Sequence, residues 1–154
     1  MGYLEKNLLP GESVAYRAHL HPIIYLQSAF FGAVGLSFVV FGLANPEVSF
    51  LWMLGAVFLL YAAGVGAVRA IQSASSEFAI TNKRVVIKVG FIKRKTLEMV
   101  LTKVETIRVD QSILGRLFGY GTIVVTGTGG TNEPFTSLAN PLEFRRQVQA
   151  LTSG

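Results

Sequence analysis

Residues 102–127 read TKVETIRVDQSILGRLFGYGTIVVTG, a run that begins like a strand, passes through a short apolar knot and ends like a second strand. In VETIRVD, Ile107 and Val109 fall on one face and Arg108 and Asp110 on the other, the period of two expected of a half-buried strand. TIVVT, residues 122–126, reads as a more fully buried strand. Between them, Ile113, Leu114, Leu117 and Phe118 fit one helical turn, and Gly115, Gly119 and Gly121 permit tight turns without Cβ strain. The stretch holds no Cys, no His, no paired carboxylates and no phosphate loop. It is specific in pattern yet nearly empty of chemistry.

Its flanks continue the β pattern. From Glu77, Phe78 and Ile80 alternate with Glu77, Ala79 and Thr81. TNK is a turn signal, Val85, Ile87 and Val89 line one face of the next strand, and Gly90 marks a second turn. FIKRKTLEMVL is a third run, with Leu97, Met99 and Leu101 on one face. Downstream, GTGGTN reads as a hairpin turn, and EPFTSL as a short strand with Pro134 near its start, as an edge strand tolerates. The last element is helical. Asn140 is expected as its N-cap, Pro141 at the first position and Glu143 at the third, a capping-box variant. Phe144, Val148 and Leu151 then form an apolar stripe that lies on the sheet.

Composition shows what precedes this domain. The chain has 154 residues, only 15% of them charged, and a mean hydropathy of +0.47, too apolar for an average soluble domain. Residues 23–43 and 48–68 each run 21 positions without a charge, and a helix of that length spans roughly 30 Å, the thickness of a bilayer's hydrocarbon core. Asn45 and Pro46 between them are turn formers, so the two segments read as a tight transmembrane hairpin. A polar leader, residues 1–22, carries two acids, and the apolar stretch after it is too long for a cleaved signal. All 14 Lys and Arg lie outside the hairpin turn. The positive-inside rule therefore expects both termini in the cytoplasm. Ser28, Gly32 and Gly35 on the first segment, with Ala62 and Gly66 on the second, recur at helical spacing and are expected at close-packed helix contacts, within the hairpin or between copies. No Asp, Glu, Lys, Arg or His lies inside either span, which argues against an ion path or a membrane-embedded catalytic site. Residues 69–76 read as a polar linker to a domain at 77–152.

Several antiparallel strands closed by one amphipathic helix is a pleckstrin-homology-like layout. Residues 77–151 resemble the bacterial PH domain of small membrane proteins, through FAITNKRVVIKVG (78–90), VLTKVETIRVDQS (100–112) and LGRLFGYGTIVVTGTGG (114–130). The leader LLPGESVAYRAHLHP (8–22) is similar to the segment that precedes the hairpin in that family. The resemblance implies an α+β fold, a two-helix transmembrane hairpin followed by a PH-like antiparallel β-barrel or sandwich capped by a C-terminal helix. In such a fold QSILGRLFGYG is a connector whose apolar side is expected to plug the barrel end. The family has no common reaction, and bacterial PH-like domains assemble into rings, so homo-oligomers are among the implied states.

The candidate surfaces follow. Residues 77–151 hold eleven Lys and Arg against six Asp and Glu. Lys83, Arg84, Lys88, Lys93, Arg94 and Lys95 crowd the first turns, where an anionic leaflet would attract them by about 1 kcal/mol each. Phosphoinositide-binding PH domains use clustered basic residues in their first loop, and KR…KVGFIKRK is similar in kind but differs in spacing. TGTGGT lacks the Gly-Lys-Ser/Thr of a phosphate loop. His19 and His21, with Glu12 upstream, lack an evident third metal ligand. The absence of Cys removes thiol chemistry, the domain has no His to serve a hydrolytic triad, and the basic residues lack the interleaved aromatics of a nucleic-acid platform. No cofactor, metal or small-molecule substrate is indicated. The expectation is a non-enzymatic membrane-anchored module acting through self-association or a membrane-protein partner. An anionic-lipid adaptor, an accessory subunit of a transporter or envelope complex and, remotely, a lipid-modifying enzyme are the alternatives. Glu98, Glu105 and Asp110 are expected as exposed strand partners for neighbouring basic residues.

Overall fold

In the computed structural model, which describes residues 3–91, 94–130 and 132–152, the chain divides into two compact units. Residues 22–71 form one; the described residues on either side of them form the other.

The first unit is a helical hairpin. A short 3-10 turn, Pro22–Tyr25, leads into α2 (Leu26–Ala44), and a second, Pro46–Val48, separates it from α3 (Leu51–Ala74); the label α1 belongs to Tyr3–Lys6, described below. Both long helices are long and apolar enough to cross a membrane. Two expectations shift. The second helix starts at Leu51 rather than Val48, because Pro46 and the 3-10 turn occupy the bend, and it runs on through Arg69 to Ala74. The expected linker is therefore helical over most of its length, since AIQSA contains no helix breaker.

The second unit contains two antiparallel sheets. β1 (Val14–Ala18), β2 (Glu77–Thr81), β3 (Arg84–Val89) and β4 (Lys95–Val100) pair in that order. β5 (Val104–Asp110), β6 (Tyr120–Gly127) and β7 (Asn132–Ala139) form the second sheet. Between β5 and β6 lies α4 (Ile113–Phe118), and α5 (Pro141–Thr152) closes the unit. The α+β layout and C-terminal helix agree with expectation, but the sheets do not close into a barrel. Phe78, Ile80, Val85, Ile87, Ile123, Val125, Leu138, Phe144 and Val148 make the core. The rings of Phe78 and Phe135 meet edge to face at 6.2 Å, one from each sheet. α5 packs on β1, β5 and β6, with Phe144 and Val148 inward while Leu151, the third member of the stripe, remains exposed.

The leader is part of this unit. β1 pairs with β2, Arg17 opposite Ala79 and Ala18 opposite Phe78, and Leu20 bridges to Leu138 of β7. α1 lays Leu4 over the outer face of the first sheet, against Ala79 and Val86. Consequently Ala79 and Thr81 are buried as well as Phe78 and Ile80, with which they alternate. β6 is longer than expected and alternates buried with half-buried residues.

The cap of α5 also differs. The Asn140 carbonyl accepts from the Glu143 and Phe144 N–H groups, and the Asn140 N–H donates to the Gly119 carbonyl. Glu143 accepts instead from Arg146 and Gln147, so the reciprocal capping box is not made.

Candidate functional site

The six basic residues expected to form one surface lie at two ends of the first sheet. Lys83 and Arg84 sit at the β2–β3 turn. Lys88, near the other end of β3, stands opposite Glu77 and Thr96, and Lys95 opens β4. Arg94 is exposed beside it, and Lys93 lies outside the described residues. Six residues of strand separate the two ends by about 17 Å, twice the Debye length at physiological salt.

The first end is occupied by the leader. The Lys83 ammonium donates to the Pro10 carbonyl at 2.7 Å. The Arg84 guanidinium donates to Glu12 at 2.9 and 3.1 Å, to Glu98 at 2.6 Å and to the Asn7 carbonyl at 2.6 Å. Glu12 is buried, its side chain 0% exposed. Burial alone would raise its pKa. Hydrogen bonds from Arg84, the Leu9 N–H and the Thr81 hydroxyl, with the Arg84 charge, outweigh that and hold it at about 2. Lys83 and Arg84 thus clamp the leader. Glu98 pairs with Arg84 as its place on the strand suggested.

The second end is where the chain passes into and returns from the hairpin. Ala18 pairs with Phe78, and Glu77, next to it, pairs with Lys88. The Ser76 hydroxyl accepts from the Gly90 N–H at 3.4 Å. Lys88, exposed Phe91, Arg94 and Lys95 therefore gather on the side of the connections. Lys95 reaches Glu133 of β7 at 3.2 Å, an exposed pair of small energetic weight.

The second sheet meets the connections through His21. Its N–H donates to the Ser137 carbonyl at 2.7 Å, and its ring lies 5.4 Å from that of Tyr120. Ser137 has a φ of 59°, a conformation few non-glycine residues adopt, beside a register shift between β6 and β7. Among the described residues no three His, Asp or Glu gather as a metal site would need, and Glu12 belongs to the Arg84 clamp rather than to the histidines.

Two residues before Tyr120 α4 ends, and here the sequence reading is reversed. Ile113 is 88% exposed, Leu117 75%, Leu114 57% and Phe118 55%. Nothing is plugged. The buried residue of α4 is Gly115, where a Cβ would lie 2.6 Å from the Tyr120 carbonyl. The helix approaches the unit through its glycine, so its large side chains must point away. Ser112 caps it by accepting from the Gly115 N–H, Gln111 donates to the Gly115 and Tyr120 carbonyls, and Gly119 ends it with φ 76°. Each large apolar side chain left in water forgoes about 1.5–3 kcal/mol of burial. Beside α4, an open hollow of about 600 Å³ is lined by Arg116, Asp110, Ser112, Thr122 and Thr136. The apolar spacing was legible; which side faced inward depended on a contact between Gly115 and a carbonyl five residues away.

In the hairpin, the five small residues meet across the helix pair. A Cβ on Gly32 would lie 3.8 Å from that of Ala62, one on Gly66 3.6 Å from the Ser28 hydroxyl, and one on Gly35 2.9 Å from the Gly55 carbonyl. Gly42 and Gly55, absent from the sequence reading, make the closest approaches: a Cβ would meet the Trp52 nitrogen at 2.5 Å and the Gly35 carbonyl at 2.6 Å. Gly32 and Gly66 are thus engaged within the chain. Leu36, Leu43, Val57 and Leu60 point outward.

No curated protein and no solved structure matches the chain. A family model described as the bacterial PH domain matches residues 26–152, hairpin and sheets together, and leaves β1 outside. The match covers well over half of the sequence, and the chain belongs to the bacterial PH domain family.

Proposed function

We propose that this protein is a non-catalytic binding module anchored by its helical hairpin in the bacterial inner membrane, with both termini and the PH-like unit on the cytoplasmic side. PH domains are in general binding modules rather than catalysts, and the family membership supports that reading here. The observation that carries the anchoring is the placement of the hairpin between β1 and β2, neighbouring strands of one sheet. Both connections leave from one end of the unit, so a hairpin that crosses a bilayer twice returns the chain to the sheet it left. The outward leucines and valines of α2 and α3 favour lipid over water as their surroundings. The absence of Lys and Arg from the bend, against 14 elsewhere, supports a cytoplasmic PH-like unit.

The module acts by holding a partner at the membrane face, through self-association or another membrane protein; neither a cofactor nor a small-molecule substrate enters this reading. A second reading, contact with anionic lipid, draws on Lys88, Arg94 and Lys95 at the connection end. Lys83 and Arg84 are not part of it, being committed to the leader.

The chain has no cysteine, so single-cysteine reporters have no background. In intact spheroplasts, Glu47→Cys in the bend should react with a membrane-impermeant maleimide, and Lys103→Cys in the sheet unit only after lysis. Reaction at 103 before lysis, or equal reaction at both sites, would overturn the topology.

A further inference from the structure

We propose that α4 is a membrane wedge: Ile113, Leu114, Leu117 and Phe118 lie in the headgroup–acyl boundary of the leaflet crossed by the hairpin, with Arg116 among its anionic phosphates. The inference rests on the hairpin spanning a bilayer. Three features carry it.

The first is that the outward direction of the apolar side chains is built in. Gly115 sits against the Tyr120 carbonyl with no room for a Cβ, while the Ser112 cap and the two Gln111 hydrogen bonds hold the helix from its other end. A helix serving only as a connector would turn its apolar side to the core, and this one is braced in the opposite sense.

The second is place. Tyr120 follows the end of α4 by two residues and packs on His21, which is fixed to Ser137 and is followed directly by Pro22, the first residue of the apolar segment. α4 therefore stands at the point where the chain leaves the sheets for the hairpin. A tethered surface works at an effective concentration of millimolar or above, so a six-residue helix needs only a weak preference for lipid to remain inserted.

The third is chemistry. Arg116 is the one charge on α4, and its long stem lets the guanidinium reach the phosphates while its neighbours stay in the acyl region. Leu142 of α5, itself exposed, lines a second hollow shared with Arg116 and extends the apolar surface. An interfacial apolar face with a cationic rim is the pattern of monotopic anchors. A second copy is the poorer occupant: a stable dimer buries roughly 800 Å² per partner, and four side chains on a six-residue helix offer less than that.

The test uses the full-length protein in vesicles of phosphatidylcholine and phosphatidylglycerol. Three single-cysteine variants, Leu117→Cys on α4, Lys103→Cys in the turn just before β5 and Leu60→Cys on the outside of α3, carry an environment-sensitive fluorophore. Nitroxide lipids quench it from the headgroup or the acyl chain. The expected result is headgroup-level quenching at 117, deep quenching at 60 and none at 103. Adding Arg116→Gln should lower the insertion equilibrium constant roughly five-fold in anionic vesicles, from about 1 kcal/mol per charge, read as weaker quenching at 117, and leave it unchanged in phosphatidylcholine alone. Quenching at 60 with 117 as water-accessible as 103 overturns the wedge and leaves the hairpin reading standing. Absence of quenching at 60 overturns both. A label at 117 that is shielded but insensitive to nitroxide lipids, with the unlabelled Leu117→Cys variant cross-linking into dimers on oxidation, assigns the knob to a second copy and overturns the proposal.

Discussion

In the sequence Glu12 stands out only as an acid upstream of His19 and His21, yet it holds the leader to the sheet. Its carboxylate accepts from Arg84, Leu9 and Thr81 with no exposed side-chain surface. Removing one partner of a buried pair leaves the other charge desolvated, so Glu12→Gln should cost about 3 kcal/mol in denaturant unfolding of the detergent-solubilised protein. Glu98→Gln, on the exposed side of the same guanidinium, should cost under about 1 kcal/mol. Equal losses would mean that burial is not what matters at Arg84. The folded pKa of Glu12, about 2, lies below its ordinary value of 4.5. The folded state therefore binds this proton less readily than the unfolded state does. Its stabilisation is complete above pH 4.5 and is lost as the pH falls from there toward 2. The Glu12→Gln protein should lack that part of the acid dependence.

The helices of the hairpin meet through small residues because only these let backbones approach closely. The Gly32 position and Ala62 are spaced for a disulfide, with 3.8 Å between the two Cβ positions. Gly32→Cys with Ala62→Cys should thus oxidise within one chain, seen as a faster-migrating monomer on a non-reducing gel. A cross-linked dimer as the main product would mean that these residues face another copy. In α4 a different balance operates. A six-residue segment has only four apolar positions with which to declare its inward face, and one glycine against one carbonyl overrides them. Exposing its four large apolar side chains is costly, and such a cost is expected where a surface meets a partner or a membrane.

The two sheets and the leader form an interdependent order of strands. β1 covers β2 along the edge of the first sheet, and the family match begins only at residue 26, beyond it. A chain cut back to start at residue 22 would expose the β2 edge and uncover Ala79 and Val86, the partners of Leu4. It should aggregate on size-exclusion chromatography in detergent, as open edges do, whereas a cut that removes only residues 1 and 2 should not. A monodisperse, fully stable short form would show that the leader is dispensable.

Much was legible without coordinates: two charge-free runs of bilayer length, the β periodicity, the turn residues, the C-terminal apolar stripe and the family resemblance. These are properties of neighbours along the chain, set by side-chain hydrophobicity and backbone preference within ten to twenty residues. The tertiary structure alone decided that Lys83 and Arg84 serve Pro10 and Glu12, more than seventy residues away. It also decided that Ala79 is buried under Leu4 and that the apolar side of α4 points outward. Each depends on a contact between distant segments or on a backbone approach closer than a Cβ allows, and the local pattern carries no term for either.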